Sequence, residues 1–206
     1  MIAIAVLASG RGSNFQALLK AQKKGLLQGE IACLISDKPE SGAVEKARKS
    51  NIPVELVVRN EFESRAAMDD RIREVLQAHG IDLVVLAGYM RILGPELVDA
   101  FRGQIINLHP SLLPAFPGLD ALGQALRAGV KVTGATVHLV DEGLDTGPIL
   151  AQRAFSIPDG ASREEIEAIL HPLEHELLVE VVAGWGKTKG SRAESTDIGA
   201  PVDSLE

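Results

Sequence analysis

The chain has 206 residues, a formal net charge of −7, 46% hydrophobic residues and a single cysteine. This length and composition fit one soluble globular domain, and the acidic balance argues against a dedicated nucleic-acid or anionic-membrane binder. A lone cysteine excludes an intramolecular disulfide framework and a multi-cysteine zinc site, and no apolar run is long enough to cross a bilayer. We therefore expect a cytoplasmic protein with neither membrane nor nucleic-acid partners.

The first half of the chain alternates apolar strands with amphipathic helices. Residues 2–8 form a continuous apolar run, which is typical of a strand buried on both faces of a parallel sheet. Apolar residues from Phe15 to Leu26 then recur at helical spacing, and so do those from Phe62 to His79. Further strands are predicted at residues 31–35, 54–58, 83–87 and 105–108, and further helices at residues 42–51 and after Pro95.

The second half begins with a loop and ends with a long helix. Three prolines between residues 109 and 118 argue against regular structure there. We predict a helix at residues 121–127, two neighbouring strands at 132–140 and 149–155, and a last helix that begins near Ser162, with Ser162 and Glu165 as a capping box, and ends near Val182. These elements predict a single α/β domain, residues 1–186, with a doubly wound, mostly parallel sheet and a flexible tail at residues 187–206.

The turn after the first strand, residues 9–14, has the sequence S-G-R-G-S-N. Its glycines let the backbone approach a ligand, and the helix that follows directs free N–H groups and its positive dipole end toward an anion. The third glycine of the dinucleotide-binding pattern is replaced by Phe15, and the P-loop motif does not occur. The pattern alone fits a monophosphate cradle and an ordinary glycine-rich turn equally well.

Asn107 and His109 lie at the predicted carboxyl end of a short strand, where open α/β sheets place their active sites. Alternation along the strand directs both side chains the same way. An amide and a protonated imidazole are the donors that a developing oxyanion needs, and the imidazole also carries a transferable proton. A core histidine bonded to a backbone carbonyl is the alternative, but the adjacent Asn107 and the proline-rich loop favour a catalytic pair.

A glycine-flanked loop between the last two strands contains Asp141 and Asp145. A carboxylate close to His109 would favour the protonated imidazole and fix its tautomer. An aspartate that bonds its own turn is the alternative. Spacing does not choose which of the two aspartates has which role.

The sequence H-P-L-E-H at residues 171–175 matches a zinc-protease pattern, because two histidines four residues apart share a helix face. The sequence offers no convincing third ligand, however, and Pro172 disturbs that turn unless the helix begins or kinks there. We therefore expect no metal cofactor. Cys33 falls in a predicted buried strand and is interpreted as an inert core thiol.

Five distinctive segments follow one another along the chain: S-G-R-G-S-N, A-G-Y-M-R-I-L, N-L-H-P-S-L-L-P-A-F-P-G, T-G-A-T-V-H-L-V and D-E-G-L-D-T-G-P-I-L. Together they resemble phosphoribosylglycinamide formyltransferase, the folate-dependent enzyme family of purine synthesis, from Ile2 to about His175. The S-L-L-P segment is shared by folate formyl transferases and hydrolases. The Gly12-Ser13-Asn14 turn narrows the resemblance to the enzymes that act on glycinamide ribonucleotide. The chain is also too short for methionyl-tRNA formyltransferase, with its C-terminal domain, or formyltetrahydrofolate deformylase, with its N-terminal regulatory domain.

The resemblance implies a fold, a reaction and a division of roles. Formyl transfer from 10-formyltetrahydrofolate, as cosubstrate, to the amine of glycinamide ribonucleotide would need no metal, and the enzyme would be a monomer or homodimer. Pro172 and Leu178-Val179 depart from the family's pattern on the last helix. The implied roles are catalysis by Asn107, His109 and Asp145, ribonucleotide binding by Gly12, Ser13, Asn14 and Glu174, and folate binding by Arg65, Met90, Arg91, Ile92, Leu93 and Asn107.

Three alternatives remain open at this stage. A formyltetrahydrofolate hydrolase would use the same strand end with water in place of the amine. A zinc hydrolase would be built on His171 and His175, and bound zinc in the purified protein would reveal it. A non-catalytic phosphate-binding module would use only residues 9–14, and turnover of formyl-folate would exclude it.

Overall fold

The computed structural model describes residues 1–185, which form seven strands and six α-helices. The strands are β1 (Ile2–Leu7), β2 (Gly29–Ser36), β3 (Val54–Leu56), β4 (Leu83–Leu86), β5 (Ile105–His109), β6 (Val132–Leu139) and β7 (Ile149–Ser156). The helices are α1 (Ser13–Lys23), α2 (Gly42–Lys49), α3 (Arg65–Ala78), α4 (Pro95–Ala100), α5 (Ala121–Ala128) and α6 (Arg163–Gly184). A short 3₁₀ helix at Arg59–Glu61 precedes α3.

All seven strands belong to one sheet, in the order β3-β2-β1-β4-β5-β6-β7. Strands β1 to β5 pair in parallel, and β6 and β7 extend the sheet with antiparallel pairs. This architecture confirms the predicted doubly wound, mostly parallel α/β fold. The chain runs outward from β1 to β3 and then returns to place β4 on the other side of β1. The crevice at the carboxyl ends of β1 and β4 is therefore the switch point where such sheets bind ligands.

Both faces of the sheet are buried, which explains the continuous apolar runs of the central strands. In β1, Ile4 and Val6 contribute to one core cluster, and Ala5 and Leu7 contribute to the other. Helices α1, α2 and α6 cover the first cluster, and helices α3 and α4 cover the second. The buried Cys33 lies in the second cluster, where burial raises the pKa of its thiol to about 12, as expected of an inert core thiol.

Two helix boundaries differ from the predicted ones. Leu26 was predicted on the inner face of the first helix, but α1 ends at Lys23 and Leu26 is 52% exposed. The chain leaves the helix there because Gly25 takes a left-handed conformation and the Leu26 N–H returns to the Ala21 carbonyl. Phe62 was predicted inside the next long helix, but Ser64 caps α3 by accepting a hydrogen bond from the Ala67 N–H, so the helix begins after it.

The last helix begins as predicted, with a complete Ser162–Glu165 capping box. It continues through Pro172, which lies inside the helix with an exposed ring, and Leu178 is fully buried. The departures from the family's pattern therefore leave this helix continuous. None of the helices in residues 1–185 is long and apolar enough to cross a membrane. The predicted tail at residues 187–206 lies outside the described residues.

Candidate active site

The turn between β1 and α1 is packed tightly against the beginning of α2. Gly12 has a φ of 72°, and a Cβ atom added there would lie 2.7 Å from the Ala43 Cα atom. The Gly10 carbonyl accepts a hydrogen bond from the Ala43 N–H, and the Lys46 ammonium donates to the Arg11 carbonyl at 2.7 Å. Only glycine satisfies both the backbone conformation and the close approach at position 12.

The first turn of α1 has the features of an anion site. Gly12 is its N-cap, and no side chain among the described residues caps the helix. The N–H groups at this terminus are therefore available to a ligand. The Oδ1 atom of Asn14 is buried and has no hydrogen-bond partner within residues 1–185. These observations favour an anion site over an ordinary glycine-rich turn. We call Gly12, Ser13 and Asn14 the anion cradle.

Replacing Gly12 with alanine should therefore lower Tm and raise the KM of a substrate that binds at this turn more than that of a substrate that binds elsewhere in the crevice. The added methyl group meets the backbone of α2, and the turn must shift to relieve the contact. Gly10→Ala is the matched control, because its Cβ would have nothing within 4 Å and no positive φ is required. Thermal melts and steady-state kinetics of both variants test this, and equal Tm values would contradict the packing argument.

The predicted catalytic residues converge at the carboxyl end of β5. Asn107 and His109 come from β5, and Asp145 comes from the loop between β6 and β7. The His109 Nδ1 atom lies 3.4 Å from Asp145 Oδ2, and Asn107 Nδ2 donates to Asp145 Oδ1 at 3.3 Å. The side chains of His109 and Asp145 are only 6% and 10% exposed. The structure thus brings all three side chains into one partly desolvated cluster.

The structure also distinguishes the two aspartates of this loop. Asp141 bonds its own turn, since its Oδ1 accepts hydrogen bonds from the Gly143 N–H and the Thr146 hydroxyl. Asp145 instead has a left-handed backbone, with a φ of 55°, and directs its carboxylate toward β5. Asp145 is therefore the carboxylate that can act on His109.

Hydrogen bonding from His138, whose Nε2 lies 3.5 Å from Asp145 Oδ1, lowers the pKa of Asp145 to about 2. The Gly118 N–H, which donates to Asp145 Oδ2 at 2.8 Å, and the charge of His109 act in the same direction, against the effect of burial. The carboxylate is consequently ionised at neutral pH.

Sequence reasoning missed a second histidine in this cluster. His138 is buried, its Nδ1 donates to the Leu139 carbonyl at 2.8 Å, and its Nε2 lies 3.2 Å from Asn107 Nδ2. Alternation along β6 could have indicated this face, but the pairing of His138 with Asn107 depends on a register that only the folded sheet fixes.

The imidazole of His109 has two different environments. Its Nε2 donates to the Phe116 carbonyl at 2.9 Å, and its Nδ1 faces Asp145 at a longer distance. The alternative interpretation, a histidine bonded to a backbone carbonyl, is thus correct for one nitrogen. Because a carbonyl can only accept, Nε2 is the anchored nitrogen and Nδ1 is the nitrogen that faces the carboxylate.

The predicted folate segment follows β4 at the switch point and is held at three places. The Met90 N–H donates to Ser9 Oγ, the Arg91 Nε donates to Asp37 Oδ2, and the Gly94 N–H donates to Asp69 Oδ2. Arg65 lies beside it, with its Nε atom 3.7 Å from Asp69 Oδ2. Met90 and Ile92 are 61% and 62% exposed, whereas the Leu93 side chain packs in the core beside α3 and α4. Only the backbone of Leu93 is therefore available to a ligand.

Glu174 lies in α6 beside a groove of about 640 Å³ between α1 and α6. The groove reaches the anion cradle, since Arg11 and Ser13 line it together with His171 and His175. Glu174 is buried and accepts a hydrogen bond from His171 Nδ1 at 3.1 Å, which raises the pKa of His171. Within residues 1–185, no group of three or more His, Cys, Asp or Glu residues is placed to hold a metal ion.

A switch-point crevice that joins an uncapped helix N-terminus to an amide, an imidazole and a carboxylate has the features of the active site of an α/β enzyme. The profile of the formyl transferase family matches residues 2–182, and the chain belongs to this family. The chain is accordingly a formyl transferase.

Individual relatives agree with this assignment. The chain is 49% identical to a phosphoribosylglycinamide formyltransferase of Bacillus subtilis over 178 residues, which cover 86% of this chain and 91% of the relative. The crystal structure of phosphoribosylglycinamide formyltransferase from Bacillus halodurans superposes with a TM-score of 0.86 at 44% identity, covering 96% of this chain and all of that one. The resemblance predicted from the five segments is thereby confirmed.

A formyltetrahydrofolate deformylase from Pseudomonas syringae pv. tomato is more distant. Its structure superposes with a TM-score of 0.80 at 30% identity, and the match covers 87% of this chain but 59% of the deformylase. The deformylase therefore shares this fold and contains further residues outside the matched region.

Proposed function

We propose that this protein transfers the formyl group of 10-formyltetrahydrofolate to the amine of glycinamide ribonucleotide, in the cytoplasm, as a step of purine synthesis. The observation that carries the proposal is the position of the anion cradle and the Asn107–His109–Asp145 cluster at the same carboxyl edge of the sheet. Relatives named phosphoribosylglycinamide formyltransferase support the substrate pair. A monomer or a homodimer is compatible with this site, and the oligomeric state stays a prediction.

The ribonucleotide phosphate would bind at the beginning of α1. The N–H groups of Ser13 and Asn14 and the close approach permitted by Gly12 supply the cradle. Glu174, which is buried on α6 and bonded to His171, would contact the glycinamide part of the substrate, as the family resemblance implies. The acceptor would extend from the cradle to the catalytic cluster along the carboxyl edge of the sheet that the two share.

The folate would bind in the crevice beside residues 90–93. The exposed side chains of Met90 and Ile92 offer apolar surface for the ring system, and the backbone of this segment offers donors and acceptors for its polar edge. Arg91 is tied to Asp37, and Arg65 lies at the entrance with a half-exposed side chain, where it can meet a carboxylate of the folate. Asn107 lies between this crevice and the catalytic cluster.

The reaction needs a donor for the oxyanion and a path for one proton. The substrate amine attacks the formyl carbon and forms a new C–N bond, while the carbonyl oxygen takes the electron pair as an oxyanion. Nδ1–H of His109 and one N–H of Asn107 would stabilise this charge, and the anionic Asp145, whose Oδ2 lies 3.4 Å from Nδ1, would orient the imidazole. The intermediate collapses, the bond to folate N10 breaks, and the proton lost by the amine is returned to N10.

Asn107 makes a hydrogen bond within the catalytic cluster. Its Nδ2 donates to Asp145 Oδ1 at 3.3 Å, at the long end of the range for hydrogen bonds, and lies 3.2 Å from His138 Nε2. An oxyanion in the cleft would therefore compete with a weak acceptor. Much of the acceleration would come from holding the two substrates together, since effective molarities of such arrangements reach about 10⁵ M or more.

The choice of acceptor tests the proposal directly. Incubation with 10-formyltetrahydrofolate should release tetrahydrofolate rapidly only when glycinamide ribonucleotide is present, with one formylated ribonucleotide formed for each tetrahydrofolate. The phosphate anchors the amine at the formyl carbon, whereas water has no such anchor. Release at the same rate without the ribonucleotide, together with free formate, would establish the hydrolase that the similarity to the deformylase keeps as the second candidate.

A further inference from the structure

A row of polar side chains crosses the three strands β5, β6 and β7. His109 is paired with Thr136 in the antiparallel register of β5 and β6, and Thr136 is paired with Gln152 in that of β6 and β7. Residues paired in this way project from the same face of a sheet. The row therefore connects the catalytic imidazole to the outermost strand, and the mechanism above uses only its first member.

The hydroxyl group of Thr136 is the centre of this row. It is fully buried, donates to the Ser111 carbonyl at 2.7 Å, and accepts from the Leu113 N–H at 3.1 Å and from Gln152 Nε2 at 2.9 Å. Gln152 Nε2 also donates to the Leu113 carbonyl at 2.8 Å. The hydroxyl thus uses its single donor and both acceptor positions, so three segments are fixed by one oxygen atom.

The segment fixed in this way is the loop that holds His109. Ser111 Oγ donates to the Ala115 carbonyl at 2.6 Å, which closes the loop on itself. The loop then turns at Phe116, where φ is 57°, and presents the Phe116 carbonyl to His109 Nε2. The position of this carbonyl decides where the imidazole points, because it is the anchor of the ring.

We propose that Thr136 and Gln152 are positioning residues, which hold the loop of residues 110–117 so that its Phe116 carbonyl fixes the His109 ring with Nδ1 directed toward Asp145 and the developing oxyanion. The inference rests on the proposed function, in which His109 stabilises the oxyanion. The hydrogen bonds of the two side chains go to Ser111, to Leu113 and to each other, and not to His109. Their effect is transmitted through Ser111 and Leu113 to the loop, and from the loop to the ring.

Removal of the Thr136 hydroxyl tests the proposal. Thr136→Val keeps the shape of the side chain, so we expect kcat to fall by about 10- to 100-fold with both KM values nearly unchanged, as for small displacements of a catalytic group. Thr136→Ser keeps the hydroxyl and should restore most of kcat. Thr133→Val is the matched control on the same strand, because the Thr133 Oγ1 atom is buried without a hydrogen-bond partner among the described residues.

A second readout separates positioning from general damage. The Nε2–H proton of His109 in the ligand-free protein, identified by its loss in His109→Ala, should give a hydrogen-bonded imidazole resonance that Thr133→Val retains and Thr136→Val shifts or broadens. This measurement needs no turnover, so it remains decisive if the wild-type protein proves not to transfer formyl groups. An unchanged kcat or an unchanged resonance in Thr136→Val overturns the proposal.

Gln152→Leu keeps the proposal testable if Thr136→Val does not fold. Gln152 lies on an exposed position of the edge strand, so its substitution spares the core. Loss of its two hydrogen bonds should produce a smaller fall in kcat than Thr136→Val, in the same direction, with the same change in the His109 resonance. A Gln152→Leu variant with wild-type kcat and a wild-type resonance overturns the role of this residue.

Discussion

His109→Ala is expected to lower kcat by about 100- to 1000-fold, the usual result of removing one preorganised donor to an oxyanion. The KM of each substrate should change little, because the proposed role of the buried ring is to stabilise a charge that develops only in the transition state. Steady-state kinetics with each substrate varied in turn measure both quantities.

The matched control for this prediction is His79→Ala. His79 is a partly exposed histidine beside Glu55, on the α3 side of the sheet, and has no contact with the catalytic cluster. Its replacement should leave kcat unchanged. A near-wild-type kcat in His109→Ala would remove His109 from the mechanism, whereas equal losses in both variants would indicate a general effect on folding.

Asp145→Asn should lower kcat by a comparable factor, on the order of 100-fold or more, because the negative charge that faces His109 Nδ1 is lost. Asp141→Asn is the matched control in the same loop, since the Asp141 carboxylate bonds the Gly143 N–H and the Thr146 hydroxyl of its own turn. The pH profile of kcat distinguishes an aspartate that acts on the titrating group, as proposed for Asp145, from one that only bonds its own turn, as Asp141 does. An identical profile in Asp145→Asn and wild type would show that Asp145 does not act on the titrating group.

Asp145 also links stability to acid pH with a definite sign. Its pKa is about 2 in the folded protein and near 3.8 in the unfolded chain, so the stabilisation is present above pH 3.8 and is lost as pH falls toward 2. The effect amounts to roughly 2 kcal/mol. Denaturant unfolding should therefore show that Asp145→Asn is less stable than wild type at pH 7 and that the difference shrinks near pH 2. A constant difference would contradict the depressed pKa.

Some features of this fold could be predicted because they depend only on residues close together in the chain. The apolar run of β1 and the Ser162–Glu165 capping box depend on neighbouring residues alone. The end of α1 was missed because Leu26 continues the apolar spacing, while the left-handed Gly25 that ends the helix leaves that spacing undisturbed. A periodic pattern shows where a helix can continue, and not where the chain turns away.

The catalytic cluster was predictable only in part. Strand alternation placed Asn107 and His109 on one face. Spacing left Asp141 and Asp145 open, the family resemblance favoured Asp145, and the backbone conformation of the loop gives the physical reason. The contributions of Thr136 and His138 depend on the register between β5 and β6, which joins residues far apart in the chain. The pattern of residues within one strand does not indicate how that strand is aligned with its neighbour.

The contact between Gly12 and Ala43 packs the anion cradle directly against the beginning of α2. The two backbones leave no space for even one methyl group, so the turn cannot move toward α2. A larger side chain at position 43 would push the turn away from α2. In the proposed function, the position of the bound phosphate would therefore depend partly on α2, where a small residue at position 43 is as necessary as the glycine that faces it.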